Sequence, residues 1–527
     1  MLLAALACGC GGGSGGSGGG GGDPGGGTQY PQPPAGFAFL TQSDVATIVQ
    51  TAATTADPST MAIAVTDRLG NILAVWEGAS MPATSTGNFS QATPTGELAV
   101  NLARTASFFS NDQAPLSSRT VRYISGIHFP PGIANAPNAA LYGIETTNRG
   151  CTLSTNYLPG QAIPAPTMIN GSPDHYGIIT GKVDVDDSDA NAVNPGGVPI
   201  FKSGHLVGGV GIAGVPADVA EFVAYTAAGL IGVPAGSADG IGFQPLPPPG
   251  EVVIDGIALP FVDTTSAPAD LTPSTAPFDS TRYVSGPVTD PIAGPTPEGY
   301  LVGPTAGPLG GLSASQVDGI IQNAVATANQ TRALIRLPLE SRARMMIAVS
   351  DLDGTIIGLY RMHDSTIFSI DVAATKARNV IYFSGPNRTA GDLPDVPIGT
   401  AVTNRTIGFG AQPLFPPGIN GSSPGPFFPL YVQDAANPCT QGADPPGPPG
   451  PNANQSGVVF FPGSEPLYVN GTLVGGLGVS GDGVDQDDYV TSGGGTGYEA
   501  PASIRADQIV INGVRLPYLH FPRNPTD

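Results

Sequence analysis

At two distant places in this chain, apolar residues recur at helical spacing directly after a hydroxyl residue. Thr41 opens the run QSDVATIVQTAATTA; Ser313 opens ASQVDGIIQNAVATA, where Val317, Ile320, Ile321, Ala324 and Val325 share one face. Each predicts an amphipathic helix with the hydroxyl as N-cap. Short β-rich runs follow both helices, IAV then NILAVW and IAV then TIIGLY. They are divided by Asp67–Gly70 and Asp351–Gly354, which carry hairpin turn chemistry. A second pair of helices begins at Glu97 (ELAVNLARTASFFS) and Asp371 (DVAATKARNVIYFS). The hairpins KSGHLVGGVGIAG and VNGTLVGGLGVSG then return the chain to the sheet, and a late short strand closes each unit. The predicted architecture is α+β, an antiparallel sheet with helices packed on it.

These parallels form one ordered series. Met61-AIAVTDRLGNILAVWEG aligns without a gap with Met345-MIAVSDLDGTIIGLYRM, 284 residues on, and Phe129-PPGI recurs at Phe415, 286 residues on. Pro199-IFKSGHLVGGVGIAG aligns with Pro466-LYVNGTLVGGLGVSG, and Val252-VIDGIALPF with Ile509-VINGVRLPY. Four blocks in the same order predict a tandem duplication, with copy one at 37–265 and copy two at 309–522. Between them, 266–308 reads as a Pro/Gly-rich linker without periodicity.

Composition narrows the function classes. The chain has 75 Gly and 55 Pro in 527 residues yet is 40% hydrophobic, which fits packed cores carrying long Pro/Gly-rich surface insertions at about 134–195 and 420–463. A net charge of −21 would repel a phosphate backbone and an anionic membrane surface, so nucleic acid is excluded as a partner. No apolar run is long enough for a transmembrane helix. Residues 1–36 read as a leader and tether. Leu2–Ala7 followed by Cys8 resembles the lipobox of bacterial lipoproteins, in which the Cys is acylated, and the Gly/Ser run after it would act as a flexible spacer. Ala5 stands where that pattern usually has Leu, and no basic region precedes the run; a start codon further upstream would supply one. The expected location is the bacterial cell envelope, with the membrane reached only through this anchor.

The second copy resembles the GlcG/HbpS-like haem-binding, or haem-degrading, proteins. The resemblance rests on LSASQ at the first helix, the strand pair ending in Arg361-Met362, the helix Ser369-IDVAATKA, and the hairpin Leu473-VGGLGVSG. The first copy keeps the frame but has Glu77-Gly78 in place of Arg361-Met362, Leu102 in place of Lys376 and Ala213 in place of Ser480. The resemblance implies two tandem profilin-like domains that pair as dimers do, here as an intrachain pseudo-dimer with possible further self-association. It also implies a small-molecule ligand that in some members is haem.

There is no C-x-x-C-H, so a c-type haem attachment is excluded, and an axial ligand would be His, Met, Tyr or a weaker oxygen donor. Leu414 stands opposite His128, Thr472 opposite His205, Ala79 opposite His363 and Asp263 opposite His520, so no histidine recurs in the other copy. His363 is the leading metal-ligand candidate, because it follows the strand exit where the resembling family places pocket residues. Met362 lies beside it, and Arg361 or Lys376 could pair with a propionate. The alternative is a surface His beside a salt-bridging Asp. No G-x-S-x-G, H-E-x-x-H or P-loop occurs. The carboxylates at 184–189 and 482–488 read as solvated acidic loops, with Ca²⁺ binding as the alternative.

Three functions remain open: a non-catalytic ligand-binding protein, a structural or interaction protein with vestigial pockets, and a haem-degrading enzyme. The duplication adds one covalent expectation. Cys151 follows the first FPPGI block by 18 residues and Cys439 follows the second by 20, so they occupy corresponding places. Corresponding residues meet only near a twofold axis, and a disulfide between these two would close the pseudo-dimer.

Overall fold

The computed structural model describes residues 38–149, 151, 168–169, 172–173, 180, 195–229, 252–263, 266–269, 271–287, 297–437, 439–442 and 454–526. Cys8, His175 and the carboxylates at 184–189 lie outside the described residues. The first half comprises α1 (Gln42–Thr55), β1 (Ala62–Asp67), β2 (Ile72–Glu77), α2 (Thr95–Phe109), α3 (Ser118–Tyr123), β3 (Gly197–Lys202), β4 (His205–Ala213), α4 (Ala217–Ala227) and β5 (Tyr283–Ser285). The second half runs β6 (Gly299–Val302), α5 (Ala314–Ala328), β7 (Met346–Ser350), β8 (Ile356–Arg361), α6 (Phe368–Ser384), α7 (Asn404–Gly410), α8 (Phe428–Ala436), β9 (Ser464–Val469), β10 (Thr472–Ser480) and α9 (Val484–Gly494). None of the described helices is long and apolar enough to cross a membrane.

Two antiparallel five-stranded sheets result, β5-β2-β1-β4-β3 and β6-β8-β7-β10-β9. Their registers coincide. Ala62 faces Ala213 as Met346 faces Ser480, and a bulge falls at Val65/Thr66 as at Val349/Ser350. Thr41 and Ser313 close capping boxes with Asp44 and Gln316, as their N-cap position requires. The Gly pattern of the return hairpin follows from a close approach. A Cβ at Gly211 would lie 1.9 Å from the Ala99 carbonyl, and one at Gly478 would lie 2.1 Å from that of Ala373. The inner helices α2 and α6 therefore rest with their backbones directly on β4 and β10.

Three expectations need correction. The segment 266–308 is not only a linker: it supplies edge strand β5 to the first sheet and β6 to the second, covering the free edges of β2 and β8. Trp76 Nε1 also donates to Asp279 O at 2.8 Å from this segment. The late strands do not join the large sheets. They form separate two-residue hairpins, and the following Pro260 and Pro517 carbonyls accept from Thr120 and Thr406 in the first turns of α3 and α7. The insertion at 420–463 is in part core: Phe427, Leu430, Tyr431, Val458 and Phe460 are buried, because their apolar surface closes on the first half.

Corresponding residues meet where the halves join. Asn135 and Asn420 exchange backbone-to-side-chain hydrogen bonds of 2.6 and 3.0 Å, and Tyr431 donates to Glu145, 286 residues away, at 2.7 Å. Phe109 stacks on Phe368 with centroids 4.2 Å apart, within an apolar cluster drawn from both halves. Cys151 and Cys439 are disulfide-bonded beside this axis, with Cα atoms 5.2 Å apart, so the pseudo-dimer is closed covalently.

Burial also captures carboxyl groups. It raises Asp434 and Glu465 to about 8, Asp487 to about 7, and Asp67 and Asp371 to about 6. Burial acts in the same sense on Asp364, but Arg68 and Arg336 outweigh it and bring that group down to about 2.

Two outcomes follow. Denatured, unreduced protein beginning at residue 37 will show no reactive thiol. Replacing both Cys151 and Cys439 by Ser will cost roughly 4–5 kcal/mol in chemical denaturation, as expected for closing a loop of this length; two titratable thiols per chain would contradict the bridge. The second outcome concerns pH. A carboxyl raised above its unfolded value near 4 holds a proton that the unfolded chain has released. Stability therefore falls as pH rises from about 4 to about 8, whereas the contribution of Asp364 is lost as pH drops from about 4 through 2. Lys376, lowered by burial, opposes the first trend only above its own folded pKa. The melting temperature will peak near pH 4–5, and Asp434→Asn will flatten its decline toward pH 8. A melting temperature that is level or rising from pH 5 to 8 would refute this.

Candidate functional site

The strand β8 ends at Arg361, and the chain turns sharply through Met362, His363 and Asp364, the last at φ 57°. Arg361 is fully buried; its guanidinium donates to Ser365 O and to Pro297 O, with Glu298 at 3.6 Å. Met362 is buried, and its sulfur accepts from Met345 N at 3.4 Å. His363 alone of these reaches solvent, its side chain 67% exposed. Its Nδ1 lies 2.9 Å from Glu298 Oε2, while Glu298 Oε1 accepts from Asp364 N at 3.0 Å. One carboxylate thus fixes both the turn and the imidazole plane. This leaves Nε2 as the outward donor atom, the arrangement a metal-ligating histidine needs.

Lys376 lies elsewhere, on the inner helix α6, and shares no hydrogen-bond partner with the His363 turn. It is fully buried, with Nζ 2.7 Å from Val479 O, 2.9 Å from Asp487 Oδ2 and 4.9 Å from the centre of the Phe461 ring. Burial lowers the Lys376 pKa and raises that of Asp487, while each holds the other partly charged. Asp487 Oδ1 is buried without a hydrogen-bond partner among the described residues, and Asp487 lines an apolar cavity between the halves, walled by Phe109, Leu116, Phe368 and Phe461. Ser480 also lines this cavity and donates to Ser369 at 3.1 Å. In the first half Leu102 and Ala213 stand at the places of Lys376 and Ser480, so the polar floor belongs to the second half alone. The cavity volume is about 30 Å³, the share of one liquid water, against roughly 300–1,000 Å³ for small-molecule sites. A tetrapyrrole does not fit there. Neither Arg361 nor Lys376 presents its cation to solvent, where a propionate could reach it.

The three other histidines among the described residues have protein partners. His128 is buried against Ala136 O at 2.9 Å, His205 meets Asp112 at 2.7 Å, and His520 meets Asp485 at 3.0 Å. The carboxylates at 482–488 are not a solvated loop. They open helix α9, where Asp482 pairs with Arg336, Asp487 with Lys376, and Asp485 and Asp488 with Arg405. Each cation lies far away in sequence, which is why the acidic run looked exposed. No metal-binding group of three or more His, Cys, Asp or Glu occurs among the described residues. Glu298 was the other residue missed; a Glu ahead of an edge strand carries no local signal of its role.

The chain is similar in part to known proteins. Protein ORFY of Klebsiella pneumoniae has a crystal structure that is 17% identical, with a TM-score of 0.22; the match covers 34% of this chain and 85% of that one. A crystal structure of a PduOC:heme complex is 19% identical with a TM-score of 0.23, and the match covers 35% of this chain and 93% of that one. Curated proteins yield no significant match. The family described as haem degrading protein HbpS-like matches residues 312–494, the span that contains His363, Lys376 and Asp487. The similarity to that family is thus confined to residues 312–494, within the second half.

Proposed function

We propose that this chain is an exported, lipid-anchored binding protein whose ligand is haem or a related tetrapyrrole, held through His363 and not chemically altered. The observation that carries this reading is the Nδ1 contact of His363 with Glu298, which orients an exposed imidazole within the HbpS-like span. His363 would hold the group through an imidazole nitrogen, and Glu298 would hold the ring and its tautomer. Haem would supply a redox-active iron centre. A binding role is favoured over catalysis because the buried acid and base of this half, Asp487 and Lys376, already neutralise each other beside a water-sized cavity. That same small cavity favours a second reading, a surface protein whose pseudo-dimer serves to display its insertions. The anchor rests on the Leu2–Cys8 run and the Gly/Ser spacer that follows it.

Hemin titration of the purified protein will give a Soret shift saturating near one haem per chain. His363→Ala will abolish the shift, and Glu298→Gln will weaken binding about 10- to 100-fold. Absence of a shift under both oxidising and reducing conditions would leave the display reading. Loss of the Soret band on adding a reductant, with release of iron, would instead revive the degrading enzyme. For the anchor, the protein expressed in a bacterium will fractionate with membranes, and Cys8→Ala will move it to the soluble fraction; identical partitioning of the two would rule out lipidation at Cys8.

A further inference from the structure

Lys182, Lys202 and Lys376 are the lysines of this chain, and the two described ones differ in setting. Lys202 meets Asp44 at 2.5 Å near the surface, its side chain 28% exposed. Lys376 is fully buried within α6, and its Nζ lies 2.9 Å from Oδ2 of Asp487, which sits buried in the first turn of α9. Both side chains thus stand on packed helices. Gly463, at φ 115°, gives them room: a Cβ there would lie 2.6 Å from Lys376 Nζ and 2.7 Å from Asp487 Cβ. Among the described residues Asp487 is the carboxylate paired with Lys376, while Asp482, Asp485 and Asp488 pair with Arg336 and Arg405.

Burial disfavours the charge on both groups, so moving one proton across the 2.9 Å contact to give an amine beside a carboxylic acid takes little energy. Asp487 Oδ1 has no hydrogen-bond partner among the described residues, so nothing there holds the carboxyl in its ionised form. The cavity that Asp487 lines, about 30 Å³, has room for one water. The first half has Leu102 in place of Lys376 and Ala220 in place of Asp487, so amine and acid are present together in one half and absent together from the other.

We infer that Lys376 and Asp487 condense with each other to an amide that joins α6 to α9 across 111 residues of sequence. One ammonium proton passes to Oδ2, and the freed lone pair on Nζ forms a bond to Asp487 Cγ. The Cγ–Oδ2 bond breaks, and Oδ2 leaves as water with that proton and a second one from Nζ. The third proton stays on nitrogen and keeps the hydrogen bond to Val479 O, now 2.7 Å long. Oδ1 remains as the amide carbonyl oxygen, and no oxidant, reductant or co-reactant is consumed. In bulk water the reaction fails because both groups ionise and solvent drives hydrolysis, as holds for Lys202 and Asp44. Here the two groups are held in contact, where effective molarities reach roughly 10⁵ M and above, and the amide replaces two charges that are costly to keep out of water.

Mass spectrometry of the reduced, denatured full chain tests the inference. The unaltered chain will weigh one water less than its sequence requires, whereas Lys376→Arg and Asp487→Ala will each show no such deficit; processing of the leader shifts all forms alike. Trypsin will leave the Lys376–Ala377 bond uncut, and a single branched peptide will join Lys376 to Asp487. The double change Lys376→Leu with Asp487→Ala copies the apolar pair of the first half, so it retains the fold and supplies the reference mass if the single variants do not fold. The inference fails if the folded, unaltered chain keeps its full mass, if trypsin cuts after Lys376, or if the missing water maps to a succinimide at Asp353-Gly354 or Asp482-Gly483.

Discussion

Asp364 is the group on which the arrangement of the two halves depends. Its carboxylate accepts from Arg68 of the first half at 2.6 Å, from Arg336 of the second at 2.7 Å, and from the backbone of Asp112. Arg336 in turn binds Asp482, so a chain of alternating charges crosses the junction out of water. Such a chain gives little net stability, because desolvation consumes most of the Coulombic gain. Breaking it would still be costly, since a buried charge would remain unpaired. Its effect is to fix one docking geometry, while the apolar cluster around Phe109 and Phe368 supplies most of the driving force. The turn that aims Asp364 inward at φ 57° sends His363 outward, so the docking contact and the candidate ligand atom come from one local backbone choice.

Much of the fold was legible because the recurring blocks made the sequence its own control. Blocks at constant offsets predicted shared strand registers, and the registers agree down to the bulge after Val65 and Val349. What escaped was set by edges and closure. Tyr283–Ser285 and Gly299–Val302 are too short for periodicity to register, and their role comes from the unpaired edges of β2 and β8. The burial of Val458–Phe461 had a local sign, four consecutive apolar residues, but Gly/Pro-rich surroundings masked it.

The site was less legible. Cys151 with Cys439 could be found because correspondence in two copies is itself a statement about an axis. Lys376 with Asp487 could not, since the two are 111 residues apart and neither is repeated in the first half. Reading the acidic run as solvated followed from its spacing alone, whereas its burial is dictated by Arg336, Lys376 and Arg405 on other elements. Charge pattern predicts exposure only when the partners are local.

The two halves have equivalent backbones and unequal surfaces, and the inequality has one source. An isologous contact between identical copies would place the same residue on both sides of the axis. Here Asp364 has Ser80 as its counterpart, and Arg68 has Leu352. Only one of the two equivalent turns can then place a carboxylate against the other half. The first half supplies Arg68 to the docking contact, and its Leu102 and Ala213 replace the buried polar floor with apolar groups that need no partner. The second half keeps the exposed imidazole of His363 and the buried Lys376. Joining the copies in one chain permits this division, because each can lose what the other retains without an odd number of subunits or an unpaired charge at the junction. Recognition chemistry is therefore expected on one half only, with the other serving as its fixed support.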